Sequence, residues 1–213
     1  MALYAADTAI FTSSRFAKTI EKRLQTKSKQ LLNYFTKWKI TINKSKTNAI
    51  FFTRRKTKQL PKTHITINKN KIKWENNIKY LGVEFNKNLK YNLHIAKSLT
   101  KIDNITKLIY PLICRKSALG IKSKLLIYKA YIRPLMLYSC PVLRDVSNSM
   151  IKKYQTKQNK FIKMIYNMPW YSSTKLIHQI SKLNYIKDQI NIQTTKFLRN
   201  CANIDNSIVI NFS

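Results

Sequence analysis

The chain has 213 residues, with 41 Lys and Arg against 8 Asp and Glu, a formal net charge of +33 and 44% hydrophobic residues. That apolar share excludes a chain disordered by composition, and 2 Gly and 5 Pro exclude a glycine-rich phosphate loop, a collagen-like repeat and most turn-dense all-β folds. No apolar run approaches the roughly 20 residues of a membrane span. Cys114, Cys140 and Cys201 lie far apart, with no metal-ligand spacing and no even-numbered disulfide framework, so a reduced, intracellular compartment is expected.

Residues 2–11, ALYAADTAIF, are apolar at both ends and polar in the middle, which predicts strand, tight turn, strand. The chain thus opens inside a motif, with no signal peptide visible after Met1. Residues 13–38 carry Ala17, Ile20, Leu24, Leu31, Phe35 and Trp38 at helical steps, with Ser13 or Ser14 as N-cap and Lys18, Lys22, Lys27 and Lys29 on the other face. A short strand is expected at 48–53 and a basic loop at 54–62. Residues 64–74 predict a hairpin around Asn-Lys-Asn, because Asn tolerates positive φ. Residues 78–85 read as one strand, bent where Gly82 interrupts it.

Beyond residue 90 the period becomes helical, with helices expected near 91–113, 121–140, 147–167, 173–182 and 185–203, punctuated by Pro111, Pro134, Pro141 and Pro169. Ile121, Leu125, Tyr128, Ile132 and Leu135 form a core stripe. The fold class expected is α+β, a mixed piece over 1–90 followed by a helical piece over 91–213.

An AT-rich genome would enrich Lys, Asn and Ile, but it would also enrich Glu, and only Glu21, Glu75 and Glu84 are present. The deficit of acids leaves a chain that repels itself until it meets a polyanion, and nucleic acid fits better than an anionic membrane surface. No helix pairs a clean basic face with a bulky apolar one. The acids Asp7, Glu21, Glu75, Glu84, Asp103, Asp145, Asp188 and Asp205 form no local pair for metal or acid–base work, and His64, His94 and His178 stand singly.

The order of motifs is more specific than any one of them. LYAADTAIF (3–11), an amphipathic helix, WKITINKSKTNAIFF (38–52), a hairpin and IKYLGVEF (78–85) resemble the last third of a reverse-transcriptase palm. YIRPLMLYSCPV (131–142) and QNKFIKMIYNMPWYSS (158–173) resemble the thumb and following region of non-LTR retrotransposon polymerases, in particular the jockey-like group. The resemblance covers nearly the whole chain. It implies a partial palm of antiparallel strands plus a helix over 1–90, and over 91–213 an all-helical thumb with a C-terminal helical region. It further implies an ancestral reaction of RNA-templated addition of dNTPs to a primer 3′-hydroxyl with two Mg²⁺, which in that family neutralise the triphosphate and clamp the in-line displacement.

In the resembling family the first hairpin carries Tyr-Ala-Asp-Asp. Here it reads Tyr4-Ala5-Ala6-Asp7, so Ala6 stands at the first Asp position. The fingers and earlier palm strands that carry the other carboxylate are expected to be missing. Asp7 is therefore expected to hold metal only if another chain completes the site, and this chain alone to bind no Mg²⁺ and to be inactive. Lys46, within Asn43-Lys44-Ser45-Lys46-Thr47, matches a lysine near the incoming nucleotide's phosphates. Tyr80, Leu81, Gly82 and Val83 match the primer grip. In the thumb, Lys97, Lys101 and Lys107, then Lys122, Lys124 and Lys129, then Lys152, Lys153, Lys157, Lys160 and Lys163, are expected to track a nucleic-acid backbone. The partner expected is an RNA–DNA primer–template and not a membrane. A basic nucleic-acid-binding protein without catalysis, a translated relic without function, and an enzyme completed in trans remain alternatives.

Overall fold

Residues 2–4, 7–53, 64–68, 70–144 and 146–203 are described by a computed structural model, in which the chain divides into two units, Met1–Lys90 and Tyr91–Ser213. Ala5, Ala6 and the basic loop expected at 54–62 lie outside the described residues.

The first unit opens with β1 (Ala2–Tyr4) and β2 (Asp7–Ala9), an antiparallel pair with Tyr4 opposite Asp7. Helix α1 (Ala17–Lys37) follows. Its N-cap position is taken by Phe16 rather than by Ser13 or Ser14; Ser14 Oγ instead accepts the Phe16 N–H at 3.3 Å. The helix is fastened to β4 (Ile65–Ile67) by an amide that imitates a neighbouring strand. Gln25 Nε2 donates to the Thr66 carbonyl at 2.8 Å, and the Thr66 N–H donates back to Gln25 Oε1 at 2.9 Å.

β4 pairs antiparallel with β5 (Asn70–Ile72) around Asn68, whose φ of 49° is the left-handed conformation expected of an Asn turn. The expected strand at 48–53 shrinks to β3 (Ala49–Ile50), which pairs in parallel with β6 (Trp74–Glu75), so Trp74 leaves the preceding hairpin. The expected single strand at 78–85 is a hairpin of β7 (Asn77–Tyr80) and β8 (Val83–Asn86). Leu81 and Gly82 turn it, with φ of 45° and 79°. Two successive positive φ angles match the right-handed twist of the strands they join. Gly82 adopts its angle freely, whereas Leu81 is held in a strained one.

In the second unit α2 (Asn92–Ile113) packs with α6 (Asn148–Ile165), α7 (Thr174–Ser181) and α8 (Ile186–Ala202) around an apolar core that includes Ile95, Ile102, Tyr154, Ile162, Ile177 and Ile186, all fully buried. The expected continuous helix at 121–140 is broken. It runs as α3 (Ile121–Ile127), a π-turn at Tyr128–Ile132 and α4 (Arg133–Leu137), then reverses through Ser139 at φ 59° into α5 (Cys140–Leu143). Proline accounts for both departures. Pro134 has no N–H for the Ala130 carbonyl and its ring crowds that group, so the helix widens before it and the Arg133 N–H reaches Tyr128 O. Pro141 likewise denies an N–H to the Leu137 carbonyl, which accepts the Cys140 thiol instead. The buried stripe runs at steps of four, Lys124, Tyr128, Ile132 and Met136, with the last three spanning the widened turn, and Ile121, expected in the core, is exposed.

Candidate nucleic-acid interface

Asp7 is exposed at the start of β2. A methyl group at position 6 cannot ligate, and among the described residues no three His, Cys, Asp or Glu side chains converge. The described side chains around Asp7 therefore supply no second carboxylate for a Mg²⁺ ion.

Lys46 ends a single 3₁₀ turn, Lys44–Lys46, and is exposed. Asn43 builds the turn, its Oδ1 accepting the Ser45 N–H at 3.1 Å and the Lys46 N–H at 3.3 Å, while Thr47 Oγ1 donates to the Asn43 carbonyl at 2.8 Å. Beside it lies a cleft of about 350 Å³ whose lining includes Lys44, Ser45, Lys71, Lys73 and Glu75, but not Lys46. Of the primer-grip-like residues, Tyr80 and Val83 face each other across the β7–β8 hairpin, Val83 is buried, and Leu81 and Gly82 form its exposed tip.

The lysines of the second unit separate into three environments. Lys97, Lys101, Lys107, Lys122, Lys129, Lys152, Lys153 and Lys160 are exposed. Lys157 is paired with Asp103, tying α6 to α2, and Lys163 donates to the Trp170 carbonyl. Lys124, expected on the phosphate-tracking surface, is only 3% exposed, and its Nζ donates to the Cys114 carbonyl at 2.8 Å, closing the end of α2. Four residues before buried Tyr128, it lies on the inward face. A lysine in that position is spent on a helix terminus whose last carbonyls lack partners.

On α6 the exposed Lys152, Lys153 and Lys160 and the half-buried Lys163, with Thr156 between them, fall within an arc of about 100° at helical spacing and span about 16 Å at ~1.5 Å per residue. The opposite face holds a polar network that the sequence did not reveal. His178 is buried and stacked on Tyr185 at 4.1 Å; its Nδ1 lies 2.8 Å from the Leu183 carbonyl and its Nε2 lies 3.0 Å from Asn159 Oδ1 and from Gln155 Nε2. Gln155 Oε1 accepts the Ile186 N–H at 2.8 Å, and Gln158 donates to the Asn184 carbonyl at 3.1 Å. These bonds hold α6 and α7 to the start of α8. The signal was Gln155, Gln158 and Asn159 clustered at steps of three and four. Burial pushes the Tyr128 hydroxyl up to about 12 from 10.0, and it also raises Tyr154 and Cys140.

No family model and no solved structure matches the chain. Curated sequences do match, and they are of one class, RNA-directed DNA polymerases from mobile elements. The polymerase of the X-element transposon of Drosophila melanogaster is 27% identical over 197 residues, 92% of this chain and 21% of its own length. That of the mobile element jockey is 26% identical over 202 residues in Drosophila melanogaster, covering 93% of this chain and 21% of the relative. In Drosophila funebris the jockey polymerase is 27% identical over 209 residues, or 98% and 22%. The homologues over most of this chain are therefore jockey-like non-LTR retrotransposon polymerases, as the motifs indicated. The chain spans about a fifth of the length of these relatives.

Proposed function

We propose that the chain is a palm-and-thumb portion of a jockey-like reverse transcriptase that binds an RNA–DNA primer–template by charge and does not polymerise by itself. The observation that carries the reading is the exposed lysine row of α6, in a stretch from Asn148 to Tyr185 that contains no acid. Such a row contacts phosphates without reading bases. That the similar proteins are RNA-directed DNA polymerases supports the choice of nucleic acid as the polyanion. Among the described residues no helix is long and apolar enough to cross a membrane, and an intracellular location suits the reading.

The Tyr80–Val83 hairpin is assigned to the primer end and Lys46 to the nucleotide phosphates, both in the longer polymerase. Asp7 contributes to metal binding only where a further chain supplies the other carboxylates.

Fluorescence anisotropy across a salt series tests the binding. An RNA–DNA hybrid should outbind duplex DNA and single-stranded RNA by about tenfold, roughly 1.4 kcal/mol, and keep that lead as salt rises. Equal binding of all three, released together by salt, leaves polycationic attraction alone and favours the relic. Primer extension with Mg²⁺ tests the rest. The chain alone should extend nothing, and extension by the unaltered chain would overturn the inactive reading. Ala6→Asp together with the remaining polymerase segments should restore extension if the chain can be completed in trans.

A further inference from the structure

Trp170 is the most exposed of the large hydrophobic side chains among the described residues, at 86%, and its neighbour Tyr171 is 73% exposed. Both sit on the turn between α6 and α7, at the C-terminal end of the lysine row. The turn is ordered. Asn167 takes the left-handed conformation at φ 54°, and the Met168 N–H donates to the Lys163 carbonyl at 2.8 Å. Pro169 has a restricted φ, and its carbonyl accepts the Ser172 N–H at 3.1 Å. Lys163 holds the Trp170 carbonyl. The two rings meet edge to face, with centroids 5.9 Å apart and planes at 86°, so they offer a face and an edge on a preorganised support.

Water is a poor neighbour for an aromatic face held out in this way, and the surrounding charge selects what covers it. From Asn148 to Tyr185 the chain carries Lys152, Lys153, Lys157, Lys160, Lys163, Lys175 and Lys182 and no acid. An acidic protein face would match the charge but would not need two rings. A duplex, the hybrid of the reading above included, would match the lysines but keeps its bases stacked on each other, away from the rings, so the rings select an unpaired strand that runs on beyond its end. An unpaired strand satisfies both, with its phosphates along the lysines and a base on the indole.

We propose that Trp170 and Tyr171 form a base-stacking ledge for single-stranded RNA, entered along the Lys152–Lys163 row of α6. The inference rests on the nucleic-acid reading above and adds to it a contact that carries no charge. RNA is the strand chosen because the relatives are RNA-directed enzymes.

The test uses the full chain, an unstructured uridine oligonucleotide and an RNA hairpin of equal phosphate number. Trp170→Ala should weaken oligonucleotide binding by at least about fivefold, with hairpin binding and the salt slope unchanged. Trp170→Phe should keep most of the affinity, because a face remains. Lys160→Ala should weaken both RNAs and lower the single-strand salt slope by about 0.7. A thermal melt of each variant should coincide with the parent, as these side chains are exposed. If Trp170→Ala changes both RNAs equally, or neither, while salt-dependent binding persists, the ledge is wrong and the electrostatic reading stands. If the unaltered chain shows no salt-dependent RNA binding, the parent reading falls and the ledge with it.

Discussion

In the second unit, helices α2 to α8 enclose an apolar core in which Tyr128, Tyr154 and Ile162 have no exposed surface. In the first unit the buried residues among those described are Ser28, Ile65, Val83 and Glu84, while Phe11, Phe16, Trp38 and Phe52 stay exposed. Composition does not separate the two, since both are rich in Lys, Asn and Ile. What differs is where each element finds a partner. The helices of the second unit bring their apolar stripes to one another, so their lysines, Lys124 excepted, can remain at the surface. Among the described residues the first unit has strands in four separate pairs, and a two-stranded pair is marginal until another layer covers it.

Backbone amide exchange on the full chain should show this contrast most strongly. Protection at Ile102, Tyr154 and Ile162 should approach the global unfolding limit, while α1 and the β7–β8 hairpin exchange orders of magnitude faster. Equal protection in both units would mean that the first unit closes a core of its own. The next effect in size is on stability. Ile162→Ala removes a fully buried side chain and should cost about 2–5 kcal/mol, whereas Leu24→Ala, on a half-covered face of α1, should cost less than about 1.5 kcal/mol by the area it loses. Chemical denaturation monitored by circular dichroism would measure both.

Alkaline pH separates the units by another route. The Tyr128 hydroxyl is buried beside Gln158 without a hydrogen bond of normal geometry, and its folded value of about 12 exceeds the ordinary 10.0. A raised value means that the folded state keeps the proton longer. This stability is complete below pH about 10 and is lost between about 10 and 12, to a limit of about 2.7 kcal/mol at ~1.36 kcal/mol per unit. Tyr128→Phe should change stability at neutral pH by less than about 1 kcal/mol, since no hydrogen bond is removed, and should flatten the alkaline loss. An unaltered alkaline profile would show that ionisation of this hydroxyl does not contribute.

Helices with clear apolar periodicity were legible in the sequence. The segments expected near 91–113, 147–167, 173–182 and 185–203 fall within two residues of α2, α6, α7 and α8 at each end. The misses came where a property outside the segment decided. Asn77 to Asn86 alternates well enough to read as one strand, and only the paired positive φ of Leu81 and Gly82 makes it a hairpin. The segment at 121–140 has an unbroken helical period, yet Pro134 and Pro141 alter its hydrogen bonds, and the buried stripe includes Lys124, which the α2 terminus holds. The candidate site was legible as residue types and not as roles. A lysine's charge is visible in the sequence, but whether it faces solvent, an acid or a helix end depends on its neighbours in space. Lys160, Lys157 and Lys124 illustrate the three cases.

The Lys157–Asp103 pair sets the smallest expected effect. Its side chains are 30% and 47% exposed, so solvent screens the attraction, and a double-mutant cycle should return a coupling below about 1 kcal/mol that shrinks further with salt. On the binding reading proposed above, the pair is expected to matter more for binding than for stability. Asp103 and Asp188 are the acids among the described residues of the second unit, and Asp103 holds a cation that α6 would otherwise present. Asp103→Asn should therefore leave the thermal midpoint nearly unchanged and strengthen RNA binding, with a single-strand salt slope steeper by about 0.7 for one more phosphate contact. A variant that melts several degrees lower would show that the pair holds α2 to α6. A slope that does not move would place Lys157 outside the surface that meets phosphate.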